Sequence, residues 1–352
     1  MIKEAISKLV ERSNLSFQET EKVFEEMFEK KATGPQIAAF LISLKIKGET
    51  EEEISAAAKV IRERAKKMDI RERFLGLEQD DYIVDTCGTG GSGINKFNIS
   101  TAVAVLVSAA GIKVAKHGNR AMSSSCGSAD VLEELGVKID VPSSIMEEAI
   151  KRVGIGFLYA PLYHPALAEV AQIRRQMGIR TIFNILGPLC NPAYASHQLL
   201  GVYAKSLVPI MARALRYLGI KKAFVVHSND LKDEVSLGGP TYVSFLNNRK
   251  ITNLSLKPSD FGLKRVYPKA LHVRDVKESA ELIQDIFGGK RGGPRDVVLA
   301  NASCCFYILG KAKSLKNGVQ LAAHLIDEGK AKKKLSQFKK FLESNQCAEN
   351  NA

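Results

Sequence analysis

Between residues 82 and 135 the chain twice repeats one pattern: an apolar run of strand length, a loop of glycine and small polar residues, then an apolar run of helical length. Tyr82-Ile83-Val84 leads through Asp85-Thr86-Cys87-Gly88-Thr89-Gly90-Gly91-Ser92-Gly93 to a helix expected over about 100–110. A second strand, expected over 112–115, leads through Lys116-His117-Gly118-Asn119-Arg120-Ala121-Met122-Ser123-Ser124-Ser125 to a helix over 129–135. Such alternation requires a largely parallel sheet with helices on its faces, because parallel neighbours can be joined only by a crossover. Further strands are expected at 156–159, 199–203, 223–226 and 297–300. Ligands of such sheets bind beyond the C-terminal ends of the strands, so the loops following them are the candidate chemistry.

The flanking regions read differently. The first 70 or so residues form successive helices. Ser16 with Glu19, Thr33 with Gln36 and Thr50 with Glu53 have the spacing of capping boxes. The run over 37–44 is nearly all apolar, so its helix must be buried in a core or a subunit interface. Residues 164–186 interrupt the alternation with basic helical sequence, and 330–341 set Leu335, Phe338 and Phe341 among lysines, as in an amphipathic surface helix. A composition of 45% hydrophobic and 25% charged residues excludes a disordered or fibrous chain. The 51 basic against 38 acidic residues leave a net charge of +13, which directs attention to an acidic partner: nucleic acid, an anionic membrane or a phosphorylated small molecule. The start of the chain is charged from its third residue, and the longest apolar stretch is too short to span a bilayer. None of the six cysteines forms a CxxC pair, which fits thiols in a reducing cytoplasm.

Four glycines among residues 88–93 let a backbone approach a phosphate closely and turn its N–H groups inward, while Ser100 and Thr101 stand where the next helix begins. Gly88, Gly90 and Gly93 satisfy GxGxxG, but the helix starts too late for a dinucleotide site and no acidic residue follows before Asp130. Ile94-Asn95 stands where a Walker A loop needs Lys-Ser/Thr. A ligand-free tight turn is the alternative. The second loop offers two cations, a histidine, an asparagine and three hydroxyls, and two such neighbouring loops suit a substrate with more than one phosphate. His117 suits either a general base or a structural hydrogen bond. Asp233-Glu234 follows the expected strand at 223–226 and could hold Mg²⁺ through water and substrate phosphates. An arginine of Arg174-Arg175 or Arg180 could clamp a carboxylate.

Taken together, these motifs resemble the anthranilate phosphoribosyltransferase family over nearly the whole chain, from Gln36-Ile37-Ala38-Ala39-Phe40-Leu41 through Asp85 to Gly91, Asn98-Ile99-Ser100-Thr101, Lys116 to Arg120, Gly127 to Glu133, Arg174 to Ala193, Asp233-Glu234 and Asp296 to Ala302. The resemblance implies a small N-terminal α-helical domain (1–72, joined in space by about 163–188) and a larger α/β domain (78–162 and 189–345) with a central, mostly parallel sheet flanked by helices. A tail over 346–352 follows. It implies phosphoribosyl diphosphate on Gly88, Gly91, Ser92, Lys96, Asn98, Ile99, Ser100, Thr101, Lys116, His117, Gly118, Asn119, Arg120, Ala121, Met122, Ser123, Ser124 and Ser128. Mg²⁺ is expected on Ser100, Asp233 and Glu234, and anthranilate on Gly88, Asn119, His164 and Arg174, with Arg174 facing the carboxylate. It implies a cytoplasmic homodimer formed through the helical domain, with no membrane partner.

Two departures from the family pattern stand in the first loop: Ser92 replaces the usual aspartate and Lys96 the usual threonine. Losing an anion and gaining a cation there is expected to strengthen binding of the diphosphate sugar. A pyrimidine nucleoside phosphorylase would share the fold but needs a single phosphate pocket. A non-catalytic nucleic-acid-binding relative would suit the charge but has no use for Asp233-Glu234, and the chain has no tryptophan for base stacking.

Overall fold

The computed structural model describes residues 1–66, 68, 82–91, 93–121 and 126–349. Ser92, Met122, Ser123 and Ser124 lie outside the described residues. Four helices open the chain: α1 (Ile2–Val10), α2 (Phe17–Phe28), α3 (Gly34–Lys47) and α4 (Glu51–Glu63). Their starts follow the local code. The Ser16 hydroxyl accepts from Glu19 N–H while Glu19 accepts from Ser16 N–H, and Thr50 and Glu53 repeat the exchange. At Thr33 the N–H donates to Gln36 at 2.9 Å.

The sheet has seven strands: β1 (Ile83–Gly88), β2 (Lys113–Gly118), β3 (Ile155–Tyr159), β4 (His197–Gly201), β5 (Lys222–Ser228), β6 (Thr241–Asn247) and β7 (Lys250–Leu256). Their spatial order is β3-β2-β1-β4-β5-β6-β7. The first five in that order are parallel, and β6 and β7 add an antiparallel hairpin at one edge. The order reverses direction at β1 and β4, which are direct neighbours. That reversal opens the crevice in which open parallel sheets bind their ligands.

Side chains alternate across the sheet. In β5, Phe224 and Val226 join one hydrophobic cluster and Ala223 and Val225 the other. The first cluster is filled by α5 (Ile99–Ala109) and the helix Gly293–Ile308. The second runs from the sheet face through the helix Leu207–Tyr217 into α1–α4. The basic interruption also belongs to this second cluster, through Val170, Ile182, Phe183 and Leu186. The Phe183 ring lies 5.8 Å from that of Phe24 in α2.

Two expectations change. The strand expected at 297–300 is part of the helix Gly293–Ile308, with Pro294 in its first turn. Nearly every residue of that helix is buried, so its sequence shows no one-sided period, and a four-residue apolar run does not distinguish strand from helix. The β6–β7 hairpin is not among the expected elements. Its turn is Asn248-Arg249, both at positive φ (45° and 73°), without the glycine that usually advertises such a turn. The C-terminal helix Lys330–Glu349 is amphipathic as expected, burying Ala331, Leu335, Phe338 and Leu342. It runs on into the stretch expected as a tail, whose last three residues lie outside the described ones.

Candidate active site

Backbone demands explain the first loop. Gly90, Gly91 and Gly93 hold φ of 65°, 68° and 67°, a left-handed conformation that costs other residues steric strain. Gly88 serves a different need: a Cβ there would stand 2.9 Å from Asp233 Oδ2. Across the register, Gly88 pairs with Gly201 at the end of β4, where a Cβ would stand 1.8 Å from the Asp233 carbonyl oxygen. Two glycines at the reversal point thus seat the Asp233 segment directly on the strand ends. The segment is fixed from behind by Asn301, whose Oδ1 accepts from Val235 N–H at 3.1 Å and whose Nδ2 donates to the Val235 carbonyl at 3.0 Å.

Beneath the loops lies a buried polar network. The Lys116 ammonium donates to the Thr86 carbonyl at 2.5 Å and to Ser100 Oγ at 3.1 Å. Asp85 is fully buried, accepting from His117 N–H at 3.2 Å and Asn191 Nδ2 at 2.8 Å. Burial pushes the Asp85 pKa up and the Lys116 pKa down, and each charge partly offsets the shift of the other. This one network ties β1, β2, the start of α5 and the end of the helical interruption together.

Asp233 and Glu234 are both nearly buried. Burial raises Glu234 to about 7, with Lys96 pulling it down and Asp233 pushing it up. A carboxyl so reluctant to ionise is short of positive charge, and a hard oxygen pair of this kind fits Mg²⁺, which takes one or two carboxylates and completes its shell with water and phosphate. No group of three acidic, histidine or cysteine side chains suited to a metal occurs among the described residues.

Several expected phosphate ligands have other partners. Lys96 forms an ion pair with Asp233 at 2.5 Å, so its charge neutralises an acid of the site rather than standing free for a phosphate. Arg120 turns to Asp130 and Glu133, at 3.1 and 2.5 Å. The Asn98 side chain donates to the Cys126 and Gly127 carbonyls, fixing one loop to the other, and Ile99 is wholly buried. Thr101 bonds Asn98 at 3.4 Å, and Ser128 Oγ donates to the Asn119 carbonyl at 3.3 Å. Ala121 N–H donates to Asp130 at 3.0 Å. Gly118 and Gly127 let residues 119–121 lie against the helix Ser128–Glu134: a Cβ on Gly118 would meet Ser128 Oγ at 2.3 Å, and one on Gly127 would meet Ala121 N at 2.3 Å. No side chain caps the start of α5 and its first turn carries no acid, so no protein anion offsets the positive end of its dipole there, although the Ile99 N–H is taken by the Phe97 carbonyl at 2.8 Å.

Of the residues expected to hold the aromatic acid, His164 meets His117, and Arg174 packs on Phe183. The two imidazoles meet edge to face with centroids 5.1 Å apart. His117 Nδ1 lies 3.1 Å from the Gly187 carbonyl, which requires the proton on Nδ1 and leaves Nε2 as a buried acceptor with no protein partner. The backbone of Cys190 and Ile61 lies near His164, but neither of its ring nitrogens makes a well-aligned hydrogen bond. Arg174 stacks on Phe183 at 5.1 Å, and burial alone lowers its pKa. Sequence reasoning missed the role of Arg180, which donates to the Gly91 carbonyl at 2.5 Å while stacking on Tyr203. It also missed buried Arg62, bonded to the Leu189 carbonyl. No sequence signal connects these partners.

The histidines carry a pH prediction. Burial holds His117 near 3, with His164 as the second cause, and His164 near 4. The unfolded chain titrates near 6.5, so on acidification it binds protons that the folded chain refuses. Stability should be unaffected by these groups above about pH 7 and should fall from pH 6.5 toward 4, by up to about 1.4 kcal/mol per pH unit per histidine. Urea midpoints measured against pH should show this fall, and His164→Gln should flatten it; an unchanged slope in the variant would refute the assignment.

Comparison with known proteins identifies the family of the chain. Residues 80–332 match the model for the α/β domain of a glycosyl transferase family, and residues 3–65 match its helical bundle domain. The chain is 48% identical over 344 residues to an anthranilate phosphoribosyltransferase of Geobacter sp. (strain M21), covering 96% of this chain and 98% of that one. Among solved structures, the anthranilate phosphoribosyltransferase of Thermus thermophilus superposes with a TM-score of 0.88 at 37% identity, covering 96% of this chain and 99% of the other. The enzyme from Saccharomyces cerevisiae in complex with PRPP and Mg superposes with a TM-score of 0.86 at 29% identity, over 97% and 98% of the two chains.

Proposed function

The chain belongs to the anthranilate phosphoribosyltransferases of this glycosyl transferase family, and on that premise we propose how its own residues carry the reaction. The 5-phosphoribosyl group passes from phosphoribosyl diphosphate to the amine of anthranilate. The C–N bond forms as the bond from C1 to diphosphate breaks, giving N-(5-phosphoribosyl)anthranilate, a step of tryptophan biosynthesis. The observation that carries this reading is the convergence, at the β1/β4 reversal, of the glycine loop, buried Lys116 and the Asp233-Glu234 pair.

An aryl amine is neutral at pH 7 and a weak nucleophile, so the burden falls on the leaving group and on alignment. Asp233, Glu234 and Ser100 would hold Mg²⁺, which would supply charge neutralisation on the departing diphosphate. The glycine-loop N–H groups and the open N-terminus of α5 bind the same oxygens, with Lys116 holding Ser100 in position. Ser92, Met122, Ser123 and Ser124 belong to the same phosphate loops by sequence. His117 Nε2 serves as an acceptor for the amine proton; a group near 3 accepts a hydrogen bond throughout the neutral range but does not deprotonate the amine ahead of attack. Gly88, Asn119 and His164 complete the anthranilate pocket.

Arg174 is the carboxylate clamp of this reading. The guanidinium is half-buried with no acid paired to it among the described residues, so a ligand anion would offset its lost hydration. Arg174→Gln should raise the KM for anthranilate about 10- to 100-fold, the worth of a charged hydrogen bond, and leave that for phosphoribosyl diphosphate nearly unchanged. Equal effects on both substrates would remove Arg174 from this role.

The activity itself is tested by mixing the protein with anthranilate, phosphoribosyl diphosphate and Mg²⁺ and following the loss of anthranilate fluorescence. A folded protein that leaves the fluorescence unchanged refutes the reading. A pyrimidine nucleoside phosphorylase would instead consume nucleoside and inorganic phosphate, and a nucleic-acid binder would give salt-steep DNA affinity without turnover. We further infer that the chain works as a cytoplasmic homodimer through its helical domain. Val10, Ile42 and Ile46 of α1 and α3 are exposed apolar residues there, and no described helix is long and apolar enough to cross a membrane.

A further inference from the structure

The ion pair between Lys96 and Asp233 spans 137 residues of sequence, and its two side chains are each only 10% exposed. The Lys96 ammonium also donates to the Leu231 carbonyl at 3.0 Å, so two of its three donors are committed to the loop that carries Asp233-Glu234. Lys96 is not delivered by a floppy segment. Its backbone pairs with His272 in an isolated bridge, Phe97 N–H donates to the Leu271 carbonyl at 3.1 Å, and Val273 N–H donates to the Asn95 carbonyl at 3.4 Å. The base of the side chain is fixed, and four flexible carbons carry the charge to the acid.

The ammonium holds Asp233 Oδ1 at 2.5 Å, so a divalent ion bound to that carboxylate at the ~2.0–2.1 Å that Mg²⁺ requires would sit close to the ammonium, and the two cations would repel each other. We propose that Lys96 is a built-in counter-ion of Asp233 that a divalent cation must displace, so that this chain binds metal weakly alone and strongly only when diphosphate is present to receive the released ammonium. Lys96 then couples metal entry to substrate entry. In the metal-free protein it holds the 231–234 loop in its binding shape; with both ligands present it becomes a phosphate contact. This inference rests on the reading of Asp233 as a metal ligand.

The test is Mn²⁺ binding to the full chain by calorimetry or by the electron spin resonance signal of the free ion, with and without inorganic pyrophosphate. Lys96→Met keeps the aliphatic stem and removes the charge, and Lys96→Gln is a second variant should the first fold poorly. Without pyrophosphate, both variants should bind Mn²⁺ about 10- to 100-fold more tightly than the parent, the factor corresponding to one charged hydrogen bond. With pyrophosphate, that advantage should shrink or reverse. The metal-free variants should also melt at a lower temperature and recover on adding Mn²⁺. Affinity for Mn²⁺ that is equal to or weaker than the parent's in both variants would overturn the proposal. Asp233→Asn separates the two failures: if it binds Mn²⁺ as the parent does, Asp233 is not a ligand; if it loses binding while the Lys96 variants gain nothing, only the displacement is wrong.

Discussion

Asp233→Asn should lower kcat/KM by on the order of 10²–10³-fold at saturating Mg²⁺ while leaving the fold intact. The substitution keeps shape and volume, and the backbone of the segment is held independently by Asn301 on one side and by the strand ends at Gly88 and Gly201 on the other. On the proposed reading it removes the charge, shared with Lys96 in the metal-free protein, that a cation needs beside the departing diphosphate. The comparison of interest is with Glu234→Gln. Glu234 is reluctant to ionise, being raised to about 7 by burial, so at pH 7 part of its charge is gained only when a cation arrives. Its loss should therefore raise the Mg²⁺ concentration needed for half-maximal rate more than it lowers the rate at saturation. Steady-state rates across a Mg²⁺ titration measure both. An Asp233→Asn enzyme within about threefold of the parent at all Mg²⁺ concentrations would exclude this carboxylate from the chemistry.

The contrast between what can and cannot be read in the sequence follows from the range of the interactions. The parallel strands and the loops after them are legible because glycine content, hydroxyls and apolar runs are local signals that backbone geometry enforces directly. The β6–β7 hairpin escapes because its turn uses Asn248 and Arg249 in left-handed conformations that glycine normally takes. The helix Gly293–Ile308 reads as a strand over 297–300 because it is buried on all sides and so loses its period. Within the site, the types of residue are legible but their partners are not. The sequence points Lys96 at phosphate, yet it meets an acid far away in the chain. Arg120 has carboxylates ten and thirteen residues on, brought to it only because the following helix folds back over two glycines. A charge announces itself in sequence, whereas its counter-charge is chosen by the tertiary fold.

That dependence on close backbone approach gives the second large effect. Gly201 does not adopt a left-handed conformation, so no local rule identifies it as irreplaceable. Its constraint is tertiary: an added Cβ would lie 1.8 Å from the Asp233 carbonyl oxygen, 2.4 Å from its carbonyl carbon and 2.9 Å from its Cα. These are backbone atoms, which cannot rotate aside as a side chain can. Either β4 must shift within the sheet, breaking the Gly88–Gly201 register, or the Asp233 loop must lift off the strand ends. Gly201→Ala should therefore destabilise the protein by about 3 kcal/mol, the upper end of the usual cost of overpacking. It should also weaken Mg²⁺-dependent activity beyond what the loss of folded protein explains. Gly239→Ala is the control, in the β5–β6 connection that carries Asp233 but with no atom near its added Cβ and no left-handed backbone; it should change stability by less than about 0.5 kcal/mol. Urea denaturation gives the stabilities, and activity per folded molecule gives the rest. If Gly201→Ala and Gly239→Ala behaved alike, the close seating of Asp233 on the sheet would have no energetic content, and the metal loop would owe its position to Asn301 and Lys96 alone.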